Sequence, residues 1–461
     1  MTTQPPSHAM TATERKAAAA LASVFGLRML GLFLILPVMA IYAPLYPDYQ
    51  PWLVGLAIGA YGLTQAFLQI PLGMLSDRIG RRPVIVGGLL LFALGSVVAA
   101  MADTLTGVII GRALQGTGAI AAAILALAAD VSRDEQRAKV MATIGMCIGL
   151  AFALALVLGP ALGGIIGLRG LFWVTAVSAL LGIAVLLLFL PKVVTRSSSR
   201  DIVPVRAELR GLVTQPQLLR LNLGVFVLHA CLTAWFVAIP TLLTASGLTI
   251  AEHAWIYLPT LVASIAIMVP LLIIAARKNV QVPFFRLAIG LLMIAVAMVV
   301  FSHTTWLWLA VALVIFFAGF NYLEASLPAL LTRMAPAGSK GSASGIYATF
   351  QFSGAFAGGV LGGLVGQYYG NPGIGIFCLL LLVCWGCVTL GMRVHSQHKN
   401  LAFNTTSLDA TKAELLVSRI TALAGIEEAR VVVAESMAYV KVDQREYDAQ
   451  ALDALLQEFQ S

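Results

Sequence analysis

The chain alternates long apolar runs, nearly free of charge, with short polar connections. Twelve of these runs approach or exceed the ~20 helical residues that cross a ~30 Å hydrocarbon core. They cover residues 17–40, 52–75, 83–101, 105–130, 140–166, 171–190, 219–243, 254–276, 283–301, 306–331, 341–365 and 374–392. Only helices and closed barrels satisfy the backbone in lipid. These runs are continuous rather than alternating, so the pattern predicts helices. After residue 395 it changes. Leu415, Leu416, Ile420 and Leu423 follow helical spacing and stop at Gly425. Ala429, Val431 and Val433 alternate, as do Ala438, Val440 and Val442, and Leu452, Leu455, Leu456 and Phe459 return to helical spacing. With a weak strand near 401–403, this predicts a small α+β, ferredoxin-like unit. The fold class is therefore an all-α membrane protein carrying a small α+β tail.

Composition agrees: 59% hydrophobic, 11% charged, mean hydropathy +0.91, against roughly 25% charged for a soluble domain. The first run follows Arg15 and Lys16 without a small-residue cleavage site and reads as a retained span. The five cysteines all fall in apolar runs, which reads as inert buried thiols. The connections alternate in charge. Odd-numbered ones carry Asp48, Asp103, Arg169, Glu252 and His303; even-numbered ones carry basic clusters such as Arg78, Arg81 and Arg82. The positive-inside rule places the basic side, and both termini with it, in the cytoplasm of a bacterial inner membrane. The net charge of +8 thus reflects topology, and no nucleic-acid partner is expected.

Two patches repeat at one offset. Pro71-Leu72 followed by Arg78 recurs as Pro270-Leu271 followed by Arg277 (270 − 71 = 199). The Gly-rich stretch from Gly159 to Gly167 recurs from Gly358 to Gly366 (358 − 159 = 199). Chance likeness of Gly-rich membrane helices is one explanation; a parallel duplication of six spans is the other. The Ser-, Pro- and Arg-rich stretch between the two sets favours duplication. The expected divisions are a six-helix bundle at 1–190, a cytoplasmic linker at 191–217, a second six-helix bundle at 218–394 and the small unit at 400–461.

The ten residues from Gly73 to Arg82 read as one short charged turn between two spans. They match Gly-x-Leu-x-Asp-Arg-x-Gly-Arg-Arg, and the chain resembles the major facilitator superfamily there. Arg112 to Gly118 is similar to that family's fourth-span signature. Gly159-Pro160-Ala161-Leu162-Gly163-Gly164 is similar to the fifth-span signature of its drug:proton antiporters, with Ala155 in place of the pattern's first glycine. In the second half Ala276 stands where Asp77 stands in the first.

Asp77 lies at the cytoplasmic end of span two, and span eleven begins near Gly341-Ser342 on the same side. A carboxylate beside a helix N-terminus is favourable by about 0.3–1 kcal/mol. The resemblance implies a conformational latch of Gly73, Asp77, Arg78, Gly80, Arg81, Arg82 and Asp130. In it Asp77 meets that helix end in the outward-open state and Arg81 bridges to Asp130; a solvated loop that only enforces topology is the alternative. Arg112 and Asp130, 18 residues apart, fall on one face of a continuous helix, about 27 Å apart along its axis. Gln115, one turn on, shares Arg112's face. The resemblance assigns Arg112 a proton-coupling role and implies that spans one, four, seven and ten line a cavity. Arg28 and Glu324 fall on that set, and Glu324 is the sole carboxylate deep in a span. Glu324 is therefore the candidate protonatable group, a static Arg28–Glu324 pair being the alternative. Gln115, His229, Trp235, Phe236, Asn321 and Tyr322 complete the candidate substrate cavity with Arg28. Gly159, Pro160, Gly163 and Gly164 suit close, kinked packing, either rocking or static.

The tail, residues 403–461, holds ten acidic and five basic residues and has no Cys, which excludes thiolate metal capture. His395 and His398 make a weak ligand pair at best. The expected role of the tail is docking on the chain's own cytoplasmic loops, with dimerisation as the rival. No nucleotide-binding loop is present, so no cofactor is expected and the proton-motive force is the energy source. The reading that follows is a secondary transporter, not an enzyme, exporting amphipathic or drug-like small molecules by alternating access and proton coupling. A proton symporter importing a sugar or other metabolite, and a non-transporting membrane sensor, are the competing readings.

Overall fold

The structure is a computed structural model describing residues 10–190, 211–301, 305–336, 339–392, 398–405, 409–433, 437–443 and 447–459. Residues 191–210 of the expected linker, His303 and His395 lie outside the described residues. Among those described, ten helices are long and apolar enough to cross a membrane. In chain order the elements are α1 (Ala12–Phe33), α2 (Leu36–Tyr42), α3 (Pro51–Ile79), α4 (Arg81–Met101), α5 (Leu105–Thr117), α6 (Ala121–Asp130) and α7 (Asp134–Phe189). There follow α8 (Pro216–Ala245), α9 (His253–Arg277), α10 (Gln281–Phe301), α11 (Trp306–Met334) and α12 (Lys340–Thr389).

Local chemistry sets the helix ends. Thr11 and Glu14 form a reciprocal capping box at the start of α1. Thr104 and Thr305 cap α5 and α11 through their hydroxyls, and Pro51 and Pro216 open α3 and α8 at N1. The expected ten-residue turn at 73–82 is corrected. Helix α3 continues to Ile79 and α4 begins at Arg81, leaving Gly80 as the whole connection. Its φ of 99° is open to glycine and strained for any other residue.

Two helices are far too long for one crossing. The apolar stretches Lys139–Phe189 and Gly341–Thr389 have 51 and 49 residues, more than twice the ~20 required. Each changes direction at a glycine with positive φ, Gly167 and Gly370. The neighbours show that the arms run oppositely. Gly26 of α1 faces Cys147, and Gly159 of the same arm of α7 faces Leu34; beyond Gly167, Gly31 faces Thr175 and Gly182 approaches Val24. In α12, Gly354, Gly358 and Gly362 advance along Phe226, Ala230 and Ala234 of α8, while beyond Gly370 Cys378 lies by Cys231 and Trp385 by Gly224. The two turning glycines are 370 − 167 = 203 residues apart. The 199-residue register of the sequence repeat thus slips by about one helical turn between the Gly-rich stretch and the reversal.

The basic connections gather at one end of the helices, called here the basic end. The exposed Tyr49, Trp255, Trp306, Trp308, Tyr368 and Tyr369 cluster at the far end, as aromatic side chains do at a membrane–water boundary. Cys384 and Cys387 are exposed, on the outer surface of the bundle. They depart from the expected burial because that surface faces lipid rather than protein.

The tail folds around its own small core of Leu416, Ile420, Val440, Val442 and Leu452. Strands β1 (His398–Asn404), β2 (Ile426–Val432) and β3 (Met437–Asp443) form an antiparallel sheet in the order β1-β3-β2, with α13 (Ala410–Thr421) and α14 (Ala449–Glu458).

At the far end the Asp48 carboxylate accepts from Leu105 N–H (2.6 Å), Thr106 N–H (2.9 Å) and the Thr106 hydroxyl (2.7 Å). This ties the first loop to the N-terminus of α5. Desolvation would raise its pKa, but the bonds from Thr106 and Leu105 outweigh it and hold the group below the usual aspartate value. A depressed folded-state pKa stabilises above the unfolded value and loses that contribution as pH falls through the folded one. Asp48→Asn is therefore expected to lower Tm by about 1–2 °C at pH 7. The gap between variant and parent should close progressively below about pH 4 in a thermal-melt series.

Candidate functional site

Three groups of polar residues occur where the sequence points, joined by a seam of small residues. The first sits at the basic end. Arg81 pairs with Asp77, donates Nη1 to Ser76 Oγ (2.7 Å) and reaches Asp130 Oδ2 with Nε (3.4 Å). Ser76 in turn donates to the Gly73 carbonyl (2.6 Å). Arg82 donates to Leu190 O (3.0 Å), closing the end of α7, and Arg78 is exposed. The Asp77 side chain is 43% exposed, and space is open around the Cα of Gly341 at the start of α12. In this conformation Asp77 engages Arg81 and not the helix end expected to receive it.

The second group lies inside the first set of helices. Arg112 is 1% exposed; it donates to the carbonyls of Ala57 (3.2 Å) and Ile58 (3.4 Å) and to Gln115 Oε1 (2.8 Å), and Gln115 donates to Ser96 Oγ (2.7 Å). Arg28, fully buried, donates Nη2 to Gln65 Oε1 (2.8 Å) and to Gly118 O (3.0 Å). Both guanidiniums lie over the ring of Tyr61, at 5.7 and 5.4 Å, within range of a cation–π contact. The continuous fourth helix expected from the sequence is corrected. It breaks between α5 and α6 at Gly118–Ile120, so Arg112 and Asp130 do not share one helical face.

The third group joins α8, α11 and α12. His229 Nδ1 lies 3.2 Å from Val225 O, an acceptor only, which assigns the proton to Nδ1. Nε2 is then a lone pair and accepts from Gln351 Nε2 (2.8 Å), which also approaches Glu324 Oε1 (3.4 Å). Glu324 Oε2 lies 3.7 Å from His229 Nε2. The histidine is 13% and the carboxylate 41% exposed. The partners recorded for Arg28 are Gln65 and Gly118, so Arg28 and Glu324 are not a pair in this structure.

Trp235 and Phe236 are buried, and Trp235 stacks on Phe316 at 4.7 Å. The stack continues through Phe320, which also meets His229, to Phe152 of α7. Tyr322 is buried, and Asn321 donates to Ser264 Oγ (3.2 Å). In this conformation Gln115, Trp235, Phe236 and Tyr322 are therefore enclosed rather than turned to open space. Gln65, Gln351, Ser76, Phe152 and Phe320 were not anticipated. The signal for the two glutamines was their polarity within apolar runs.

The glycines define the seam. Gly159 fits against Leu34 O and Gly163 against Val38, where the Tyr42 hydroxyl donates to Gly163 O (2.6 Å). Gly164 instead faces Ala251 of the second set. The repeated stretch divides the same way: Gly358 and Gly362 face α8, while Gly359 and Gly363 face Gly55 of α3. The departure from helical backbone within α7 is at Gly167, not at Pro160. A Cβ on Gly55 would lie 1.8 Å from Gly359 O. These approaches are at the far end, while at the basic end a Cβ on Gly345 would lie 3.9 Å from Ile70 Cγ1, an ordinary contact distance. The two sets meet backbone to backbone at the far end and more loosely at the basic end.

Comparison with known proteins gives the same frame. The profile of the Major Facilitator Superfamily matches residues 19–359. The chain is 41% identical over 441 residues to the inner membrane transport protein YajR of Escherichia coli K12, covering 95% of this chain and 96% of that one. A shorter match, 46% over 61 residues, is to multidrug resistance protein D of the same organism, covering 13% of this chain and 16% of that protein. Among solved structures, a bacterial homolog of the human lysosomal transporter Spinster superposes with TM-score 0.69 at 13% identity, covering 83% of this chain and 97% of that one.

Because the obstructing atoms at Gly55 are backbone, Gly55→Ala is expected to force the far-end seam apart. Maleimide labelling of Ala251→Cys in a cysteine-free background should rise at least fivefold. Unchanged labelling would show that the seam tolerates the methyl group.

Proposed function

The chain belongs to the Major Facilitator Superfamily, a transporter family, and we propose that it is a proton-coupled exporter of amphipathic small molecules working by alternating access. The observation that carries the coupling is the His229–Gln351–Glu324 cluster. It is the one described place in the membrane interior where a half-exposed carboxylate meets a titratable partner. A carboxylate that exchanges a desolvated setting for a histidinium or guanidinium neighbour changes its proton affinity. Such an exchange is what coupling requires. Aromatic residues above it, Phe320 and Phe152, offer apolar surface to an amphipathic solute. Short matches to multidrug resistance proteins favour efflux over uptake.

On this reading, unfolding α7 and α12 at their turning glycines gives twelve spans in two six-helix bundles, 1–190 and 218–394, joined by a linker at 191–217. Both termini and the basic end face the cytoplasm of the inner membrane, so the present conformation opens inward. Asp77 leaves Arg81 for the N-terminus of α12 when the protein opens outward. The sheet order β1-β3-β2 supports a ferredoxin-like tail lacking its last strand. The Arg430 guanidinium reaches Ser339 Oγ (3.2 Å), next to α12, which supports docking of that tail on the transporter.

Ethidium accumulation in inverted vesicles with an imposed pH gradient, acid inside, tests the proposal. The parent is expected to accumulate the dye. Glu324→Gln should lose at least tenfold of the pH-driven component while retaining pH-independent exchange. Equal pH-driven accumulation by Glu324→Gln would remove the carboxylate from the coupling step.

A further inference from the structure

We infer that the break between α5 and α6 is a hinge, and that Arg28 is the positioning residue that holds it set. The break is built rather than frayed. Gly118 has φ −78° and ψ 46°, off the helical values, and its N–H closes a tight turn on Gln115 O (3.1 Å). Interrupting a helix inside a membrane frees carbonyls that lipid cannot satisfy. Here side chains take them: Thr64 Oγ1 donates to Ala113 O (2.8 Å), Thr117 Oγ1 to Leu114 O (2.6 Å) and Arg28 Nη2 to Gly118 O (3.0 Å). Backbone presses close on both sides. A Cβ on Gly116 would lie 2.2 Å from Tyr61 O, and one on Gly118 the same distance from Gly88 O.

Of the three donors, Arg28 alone comes from α1. Gln65 aims it, at 2.8 Å, and Gln65 itself donates to Gln69 Oε1 (3.4 Å). The Nε and Nη1 atoms of Arg28 are buried and carry no hydrogen bond among the described residues. Its grip on the break is therefore one bond, held by a side chain with donors to spare.

The two sides of the break have different duties. Above it α5 carries Arg112 and Gln115, locked to α3 and Ser96. Below it α6 is a ten-residue arm ending at Asp130, whose carboxylate meets Arg81. A small rotation at Gly118–Ile120 moves Asp130, some 12 residues or about 18 Å along the helix, without disturbing Arg112. The fold does not demand the break. At the 199-residue repeat, residues 118–120 correspond to 317–319, and α11 runs through them without interruption. Among the described residues, no arginine bonds to that stretch either. The hinge is a property of the first set of helices, which also holds the charged basic-end cluster.

The test uses full-length protein in lipid nanodiscs, with hydrogen exchange of backbone amides and maleimide labelling of Val131→Cys, beside Asp130. Arg28→Met is expected to raise exchange at least tenfold within residues 113–124 and to change labelling of residue 131 at least threefold. Arg28→Lys, which retains the charge and one donor to Gly118, should fall between the two. Gln65→Leu, which keeps the arginine but removes its aim, should reproduce part of both effects and serves if Arg28→Met does not fold. Exchange and labelling unchanged in Arg28→Lys and Gln65→Leu would overturn the inference. So would a rise spread evenly over α1, α3 and α6, because Arg28 would then be general packing rather than a hinge clamp.

Discussion

The arrangement depends on backbone meeting backbone at Gly55 and Gly359. Helices in lipid gain little from apolar burial against each other, because the lipid is equally apolar; close approach of small residues supplies the attraction instead. At the far end Gly55, Gly59 and Gly62 of α3 lie on Gly359, Phe356 and Phe352 of α12, with no room for a side-chain carbon on any of the three. Gly164 against Ala251 adds a looser contact between the two sets. A seam made of backbone has few intermediate states: it is closed at van der Waals distance or it is open. That property suits a molecule with two global conformations of similar free energy.

The polar interior is unequal between the two sets of helices. The first holds two buried guanidiniums, Arg28 and Arg112, which contact carbonyls, glutamines and aromatic faces. The second holds a half-exposed carboxylate and a histidine that share one glutamine donor. Guanidinium stays charged near neutral pH and so acts as a fixed element. On the proposed coupling, the first set is the fixed half, and the His229–Gln351–Glu324 cluster is the half on which a proton would act. The break at Gly118 then gives the fixed half a means to move Asp130 without moving Arg112.

Much of this was legible because lipid restricts what a sequence can do. Apolar runs near 20 residues with few charges, and alternating basic connections, pointed to a multi-pass membrane protein with a basic end. The cluster from Asp77 to Arg82 was conspicuous because charges are rare elsewhere. The sequence was silent where packing decides. Gly116 and Gly118 lie in an apolar run whose hydropathy is the same broken or continuous, so the interruption of the fourth helix left no trace. Glu324 stood out alone; Gln351, 27 positions on, meets it only once α11 and α12 are placed. The Gly-rich repeat showed likeness without showing which glycines face inward to their own set and which face the other. That division needed Leu34, Ala230, Ala251 and Gly55 in position.

The central claim is that the far-end seam and the basic-end cluster close alternately in one molecule. Paired spin-label distances in a cysteine-free background test it most directly, with Tyr49→Cys and Tyr368→Cys at the far end and Arg78→Cys and Gly341→Cys at the basic end. As pH is stepped in lipid nanodiscs, the account predicts that the far-end distance lengthens as the basic-end distance shortens, with matching population changes. Two distances that lengthen together, or a basic-end distance that shifts while the far end stays fixed, would contradict it.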